Sequence, residues 1–157
     1  MLVTGALHVP TSGSEAFDIR RVPERAVVTV PSQAQLVGRL RRFTADLLRH
    51  WRIGEEEQEV AVLIVGELGA NAVQHGRSEM TLLLTLGDDG LLQISMSDSG
   101  AHTTHPDSGL RPDEHGRGMT IVEQLAERLE IHLNNRGCVV SACVRVKPLP
   151  RACKPSD

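Results

Sequence analysis

Glu67-Leu68-Gly69-Ala70-Asn71-Ala72-Val73-Gln74-His75-Gly76 follows the run Val60-Ala61-Val62-Leu63-Ile64-Val65, and the reading of the chain turns on these two stretches. The run is apolar nearly all round, which predicts a helix buried on most sides. Into it the chain sets a carboxylate at Glu67, an amide at Asn71 and an imidazole at His75. Their spacing of i, i+4, i+8 brings all three close to one helix face. An ionised carboxylate in such a segment is costly unless it meets a cation, a donor or water, so this helix is expected to line a wet cavity. The competing reading is a lone Glu at the helix rim, capped by a neighbour; the segment alone does not choose between them.

On the N-terminal side, Glu55-Glu56-Glu57 open this helix, where negative charge suits the macrodipole. Gly54 is expected to break the helix before it, which runs from about Ser32, a candidate cap, to about Trp51. Leu36, Leu40, Phe43, Leu47 and Leu48 supply the apolar face of that first helix. Arg39, Arg41, Arg42, Arg49 and Arg52 crowd the rest, as a solvated face does. Ala26 to Val30 is a short strand ended by Pro31-Ser32. Residues 1–25 mix Gly, Ser, Pro and charge without periodicity and read as a flexible leader.

On the C-terminal side, Met80 to Leu86 and Leu91 to Ser97 form a hairpin about Gly87-Asp88-Asp89-Gly90. Asp98-Ser99-Gly100 closes the second strand. Residues 101–115 carry three His, two Pro and several acids with no apolar period, and a loop of that length in a compact domain is usually functional or disordered. It ends at His115-Gly116-Arg117-Gly118-Met119, where a helix starts with Ile121, Val122, Leu125 and Leu129 as its buried stripe. Leu129 to Leu133, the turn Asn134-Asn135-Arg136-Gly137, and Cys138 to Val146 make a last hairpin, and Pro148 onward reads as a tail.

The composition narrows the function. At 157 residues and 40% hydrophobic, one soluble domain with a real core is expected. The only aromatic residues are Phe17, Phe43 and Trp51, so stacking platforms for single-stranded nucleic acid are missing. A net charge of −3 without a basic stripe gives nucleic-acid binding no support. No apolar run reaches membrane-spanning length, and the N-terminal residues lack a secretory signature. Cys138 and Cys143 lie an odd number of steps apart on one strand, hence on opposite faces. A shared metal or mutual disulfide is not expected of them, and a reduced, cytoplasmic protein is.

Three signals then share a spatial logic. An acceptor at Asp98 suits an exocyclic amine such as that of adenine. Gly116 and Gly118 let backbone N–H groups approach a phosphate at a helix start, where the dipole favours an anion. Asn71 offers an oxygen to Mg2+, and Glu67 can take a proton from a water or hydroxyl attacking a terminal phosphate. Each is common alone; the order carboxylate-x3-Asn, Asp-x-Gly, long loop, Gly-x-Gly-helix is far more specific.

That order resembles the GHKL, or Bergerat-fold, ATP-binding domain over about residues 26–146. Glu67 to Gly76 looks like its N-box, Asp98-Ser99-Gly100 like its first glycine box, Gly116 to Met119 like its second, and 101–115 like its ATP lid. The form Glu-x3-Asn-Ala-x2-His-Gly is most similar to the anti-sigma-factor serine/threonine kinases of bacterial partner switching. The resemblance implies Glu67 as general base and Asn71 as Mg2+ ligand. It implies Asp98 as adenine anchor, with His75, Gly100, Gly116, Arg117, Gly118 and Met119 as further nucleotide contacts. Arg39 falls where the sigma-contacting arginine would be. ATP and Mg2+ as cofactors, a STAS-type anti-anti-sigma protein and a sigma factor as partners, and a homodimer follow from the same resemblance. Ala101 to Pro106 departs from the usual continuation of the first glycine box.

Rivals fit less well. The chain lacks the His-Glu-x3-Pro context of a phosphoacceptor histidine around His50, and it lacks the P-loop pattern. Loop residues His102, His105, Asp107 and His115 are more ordinary as solvated side chains than as a metal site. The main alternative is a catalytically silent module that binds ATP and acts only through protein contacts. The fold expected is α+β: a two-layer sandwich with a mixed, mainly antiparallel sheet covered on one face by helices at about 32–51, 55–75 and 117–128.

Overall fold

The computed structural model describes residues 24–75, 78–99, 117–147 and 149. In chain order the elements are β1 Glu24–Pro31, α1 Ala34–His50, α2 Glu55–His75, β2 Glu79–Leu86, β3 Leu91–Asp98, α3 Arg117–Leu125, β4 Arg128–Asn134 and β5 Gly137–Arg145. The strands form one sheet in the order β1-β2-β3-β5-β4. Each ladder between described neighbours is antiparallel, a more uniform sheet than the mixed one expected.

The register sorts side chains into two faces, because alternate residues of a strand point opposite ways. Val28, Leu82, Met96, Val140 and Ile131 align across all five strands. The next row on that face is Ala26, Leu84, Ile94, Ala142 and Leu129. Most of these join Leu40, Leu48, Ile64, Leu68 and Val122 of the helices in one core, which makes the α+β sandwich. The opposite face carries small hydroxyls: Thr29 Oγ1 lies 2.9 Å from Thr81 Oγ1, and Ser95 Oγ 2.8 Å from Ser141 Oγ.

α2 spans its expected 55–75, with the three glutamates in its first turn. It is not buried on most sides, however. Its buried residues Ala61, Ile64, Val65, Leu68 and Ala72 trace one stripe, and Leu63 is 40% exposed. The helix packs against α1, α3 and the sheet, which leaves its outer side to solvent.

Helix ends also differ from expectation. Ser32 does not cap α1: Gln33 holds the cap position without a side-chain bond, and Ser32 Oγ is buried with no partner among the described residues. α1 is ended not by Gly54 but by Arg52, whose φ of 60° turns the chain left-handed. Ile53 N–H then bonds Leu48 C=O at 2.9 Å, and both side chains are buried, as in a Schellman closure. α3 stops at Leu125, short of 128. The sheet claims the next residues: Glu127 N–H bonds Cys143 C=O at 2.8 Å, and the Glu127 carboxylate accepts from Arg145 Nε and a terminal nitrogen at 3.0 and 3.2 Å. Glu24 and Arg25, read as leader, belong to β1. No described helix is long and apolar enough to cross a membrane.

Candidate functional site

The connections bring three distant segments to one end of the sheet. A short link joins the end of α2 at His75 to Glu79, and Met80 pairs with Asp98. The C-terminal end of α2 and the last residue of β3 therefore share an end. β4 starts opposite Cys143, far from Asp98, and finishes at Asn134 beside the Gly137–Cys138 corner, where Cys138 pairs with Asp98. α3 leads directly into the start of β4 and packs on α2, so its first turn lies back toward the Asp98 end.

Glu67 and Gly118 meet there. A Cβ at Gly118 would lie 3.1 Å from Glu67 Cδ and would run into its Oε2. The carboxylate thus reaches the first turn of α3 because residue 118 has no side chain. Glu67 and Asn71 are half-buried, while His75 is exposed. The gradient follows from the stripe beside them: Leu68 and Ala72 enter the core, so 67 and 71 sit on its rim as the helix runs out toward solvent. The spacing that suggested a common face is present, with His75 at its wet end.

Asp98 is half-buried on the helix-covered face, in the row Val30, Met80, Asp98, Cys138 and Leu133. Its Oδ1 accepts from Cys138 N–H at 3.4 Å. Its backbone carbonyl approaches Gly137 so closely that a Cβ there would overlap it, and Gly137 adopts φ 152°. On the other side Ser99 N–H bonds Glu79 C=O at 3.1 Å, and Ser99 Oγ lies 2.6 Å from Ser78 Oγ. Asp98 is therefore set between two anchored backbones. Burial, with the neighbouring Asp98 charge, pushes the Cys138 thiol up to about 11. Cys138 and Cys143 are both free thiols, on opposite faces of β5.

The remaining predicted residues divide. Arg117 is exposed at the start of α3, whereas Met119 is 4% exposed and belongs to the core. Arg39 is exposed on α1. Gly100, Gly116 and the loop 101–115 lie outside the described residues. Among the described residues no group of three or more His, Cys, Asp or Glu could hold a metal ion. An oxygen such as that of Asn71 beside ligand phosphates and water is a different arrangement.

Two features of the site's frame escape the sequence reading. Gly66 and Gly69 let α1 approach α2: a Cβ at 69 would stand 3.0 Å from Val37 Cγ1, and one at 66 would stand 3.3 Å from Arg41 Cδ. Their one-turn spacing was the available signal. The sequence marks Gly137 only as a turn residue, since its closeness to Asp98 depends on the β3–β5 register.

Residues 30–144 match the family model of the histidine kinase-like ATPase domain. The chain belongs to that family. Membership of this ATPase family implies ATP binding, and it accords with a three-helix layer on an antiparallel sheet. The ATPase domain is similar in fold to the crystal structure of the RsbU and RsbW domains of Rv1364c from Mycobacterium tuberculosis, with TM-score 0.60 and 16% identity over 78% of this chain and 32% of that one. A second likeness is to the histidine kinase domain of the Erythrobacter litoralis EL346 blue-light activated histidine kinase, at TM-score 0.48 and 17% identity over 74% of this chain and 62% of that one. This chain spans less than two thirds of the length of either. No curated protein sequence matches it.

Proposed function

We propose that this domain binds ATP with Mg2+ and transfers the γ-phosphoryl group to a Ser or Thr of a STAS-type anti-anti-sigma protein. It would alternately sequester a sigma factor, and would act as a homodimer. The observation that carries the catalytic part is the Glu67 carboxylate lying against Gly118 at the first turn of α3, at the end of the sheet where Asp98 faces the helix layer. The partner-switching part draws on the resemblance of residues 67–76 to anti-sigma kinases, and the fold likeness to a chain carrying an RsbW domain agrees with it.

The roles follow from the chemistry of each group. Asp98 would accept from the exocyclic amine of adenine. Gly118, with Gly100, Gly116 and the cationic Arg117, would hold the phosphates, and His75 would lie at the rim of the same site. Met119 would act by packing beneath, since its side chain is in the core. Asn71 would supply an oxygen to Mg2+, which neutralises charge on the phosphates. Glu67 would receive the proton of the attacking hydroxyl as that oxygen bonds phosphorus and the bond to ADP breaks; the rest of the effect is positioning. Arg39, exposed on α1, would contact the sigma factor.

Single-turnover assays with Mg2+, ATP and a STAS-type partner test this reading. Glu67→Ala should lower transfer by about 10²- to 10⁴-fold while keeping the ATP-induced thermal shift. Asp98→Asn should shrink that shift. Undiminished transfer by Glu67→Ala removes Glu67 from the mechanism, and ATP binding by the wild type without transfer identifies a silent regulatory module.

A further inference from the structure

Among the described residues β4 forms one edge of the sheet, and every residue in it except Leu129 is exposed. Ile131 and Leu133 are 40% and 51% exposed, although both lie on the helix-covered face in rows with buried Val140 and Cys138. The core extends to Leu129 and goes no further along this strand.

The backbone of this edge has a definite polarity. The two-residue turn Asn135-Arg136 closes on the pair Asn134–Gly137. Such a pair exchanges both backbone hydrogen bonds, and bonded and non-bonded pairs alternate from it. Leu133, Ile131 and Leu129 therefore fall at non-bonded positions against β5, with their N–H and C=O groups directed out of the edge. Cys138, opposite Leu133, accordingly sends its N–H away from β4, to Asp98 Oδ1. An edge strand with outward groups and exposed aliphatics is a template for another strand.

We propose that β4 pairs antiparallel with β4 of a second copy of this chain, about a two-fold axis at Ile131. The sequence Arg128-Leu129-Glu130-Ile131-His132-Leu133-Asn134 is complementary to its own reverse in that register. Ile131 meets Ile131, and Leu129 meets Leu133, so all three outward-directed residues form bonded pairs and an apolar row is completed on the helix side. On the other side each Glu130 faces His132 of the second copy at non-bonded positions, where side chains stand closest. Glu130 and His132 can do so: their side chains are 50% and 69% exposed, and their ion-pair contacts among the described residues are one of 3.7 Å to each other and one of 3.9 Å from Glu130 to Arg128. Moving the axis to Glu130 sets Glu130 against itself, and moving it to His132 sets His132 against itself; like groups directly opposite are unfavourable. The symmetry is closed, since the same patch serves both copies.

The proposal gives a surface to the homodimer of the proposed function and rests on that part of it alone. Light scattering over a concentration series, on the full chain, tests it. The wild type should dimerise. Glu130→Lys and His132→Glu should each raise the dimer Kd by about tenfold or more, and Ile131→Lys should do so as well. The double swap Glu130→Lys with His132→Glu should return the Kd toward the wild-type value, because it restores opposite charges in this register and no other. Circular dichroism and thermal melting of each variant separate lost association from lost fold, and Glu130 and His132 are exposed enough to be changed without unfolding the chain. A wild type that stays monomeric at every concentration overturns both the dimer and its surface. A dimer indifferent to all three single changes overturns the surface alone, and failure of the double swap to restore association overturns the register.

Discussion

The carboxylate of Glu67 occupies the space that a side chain at residue 118 would need. The atom in the way is the far end of a flexible side chain and not backbone. Gly118→Ala should therefore displace the carboxylate and leave the fold intact. Phosphoryl transfer should fall by about 100-fold, toward the lower end of what a general base supplies. The melting temperature should hold or rise, since alanine is the better residue within a helix. Single-turnover rates beside thermal melting read the two effects separately.

Two other glycines should respond in opposite directions. At Gly137 a Cβ would overlap the Asp98 carbonyl, on a backbone with φ 152°. Neither backbone can yield without breaking the β3–β5 register, so Gly137→Ala should destabilise by about 2 kcal/mol or more. At Gly38, within α1, a Cβ meets nothing within 4 Å. Gly38→Ala should stabilise by roughly 0.5–1 kcal/mol. Urea unfolding of the two variants measures both.

Ser95 and Ser141 bond each other at 2.8 Å while 7% and 8% exposed. Removing one hydroxyl leaves its partner buried and unsatisfied, at a cost of about 1–3 kcal/mol. Ser95→Ala with Ser141→Ala removes both groups and should cost less than the sum of the single changes. A double-mutant cycle in urea detects the difference.

The Cys138 thiol has a definite pH signature. Its native pKa is about 11, above the ordinary 9.0. The folded chain thus retains a proton that the unfolded chain releases between those values. The associated stability is fully present below about pH 9 and is lost as pH rises through about 11, by roughly 2 kcal/mol. Cys138→Ala should flatten that slope in urea titrations between these pH values. The Cys143 thiol, also raised by burial, acts in the same sense, so the difference between the variant and the wild type isolates the Cys138 share.

The local elements were legible in the residues themselves. α2 begins at its acidic triplet and ends at His75, and the β2–β3 hairpin turns at Gly90, which takes φ 76°. Periodicity, terminal charge and turn chemistry act over a few residues, so such boundaries can be read along the chain. Where two local signals compete, a contact with the core decides. Gly54 looked like the natural end of α1, yet Arg52 makes the left-handed turn because Ile53 then folds back over Leu48 into the core. The apolar run 60–65 could not say which of its residues would face outward. That depends on which sides α1, α3 and the sheet cover, and Leu63 lies on the side they leave.

The sequence by itself determined the order and kind of the elements, the helix face shared by Glu67 and Asn71, and the small residues at 118 and 137. Tertiary structure alone decided that Glu67 would lie against Gly118 and Asp98 against Gly137. Those contacts join segments far apart in the chain. They arise from strand register and helix packing, which the buried rows of the sheet select jointly: shifting a strand by one residue would turn its apolar set toward solvent and carry Asp98 out of the helix layer.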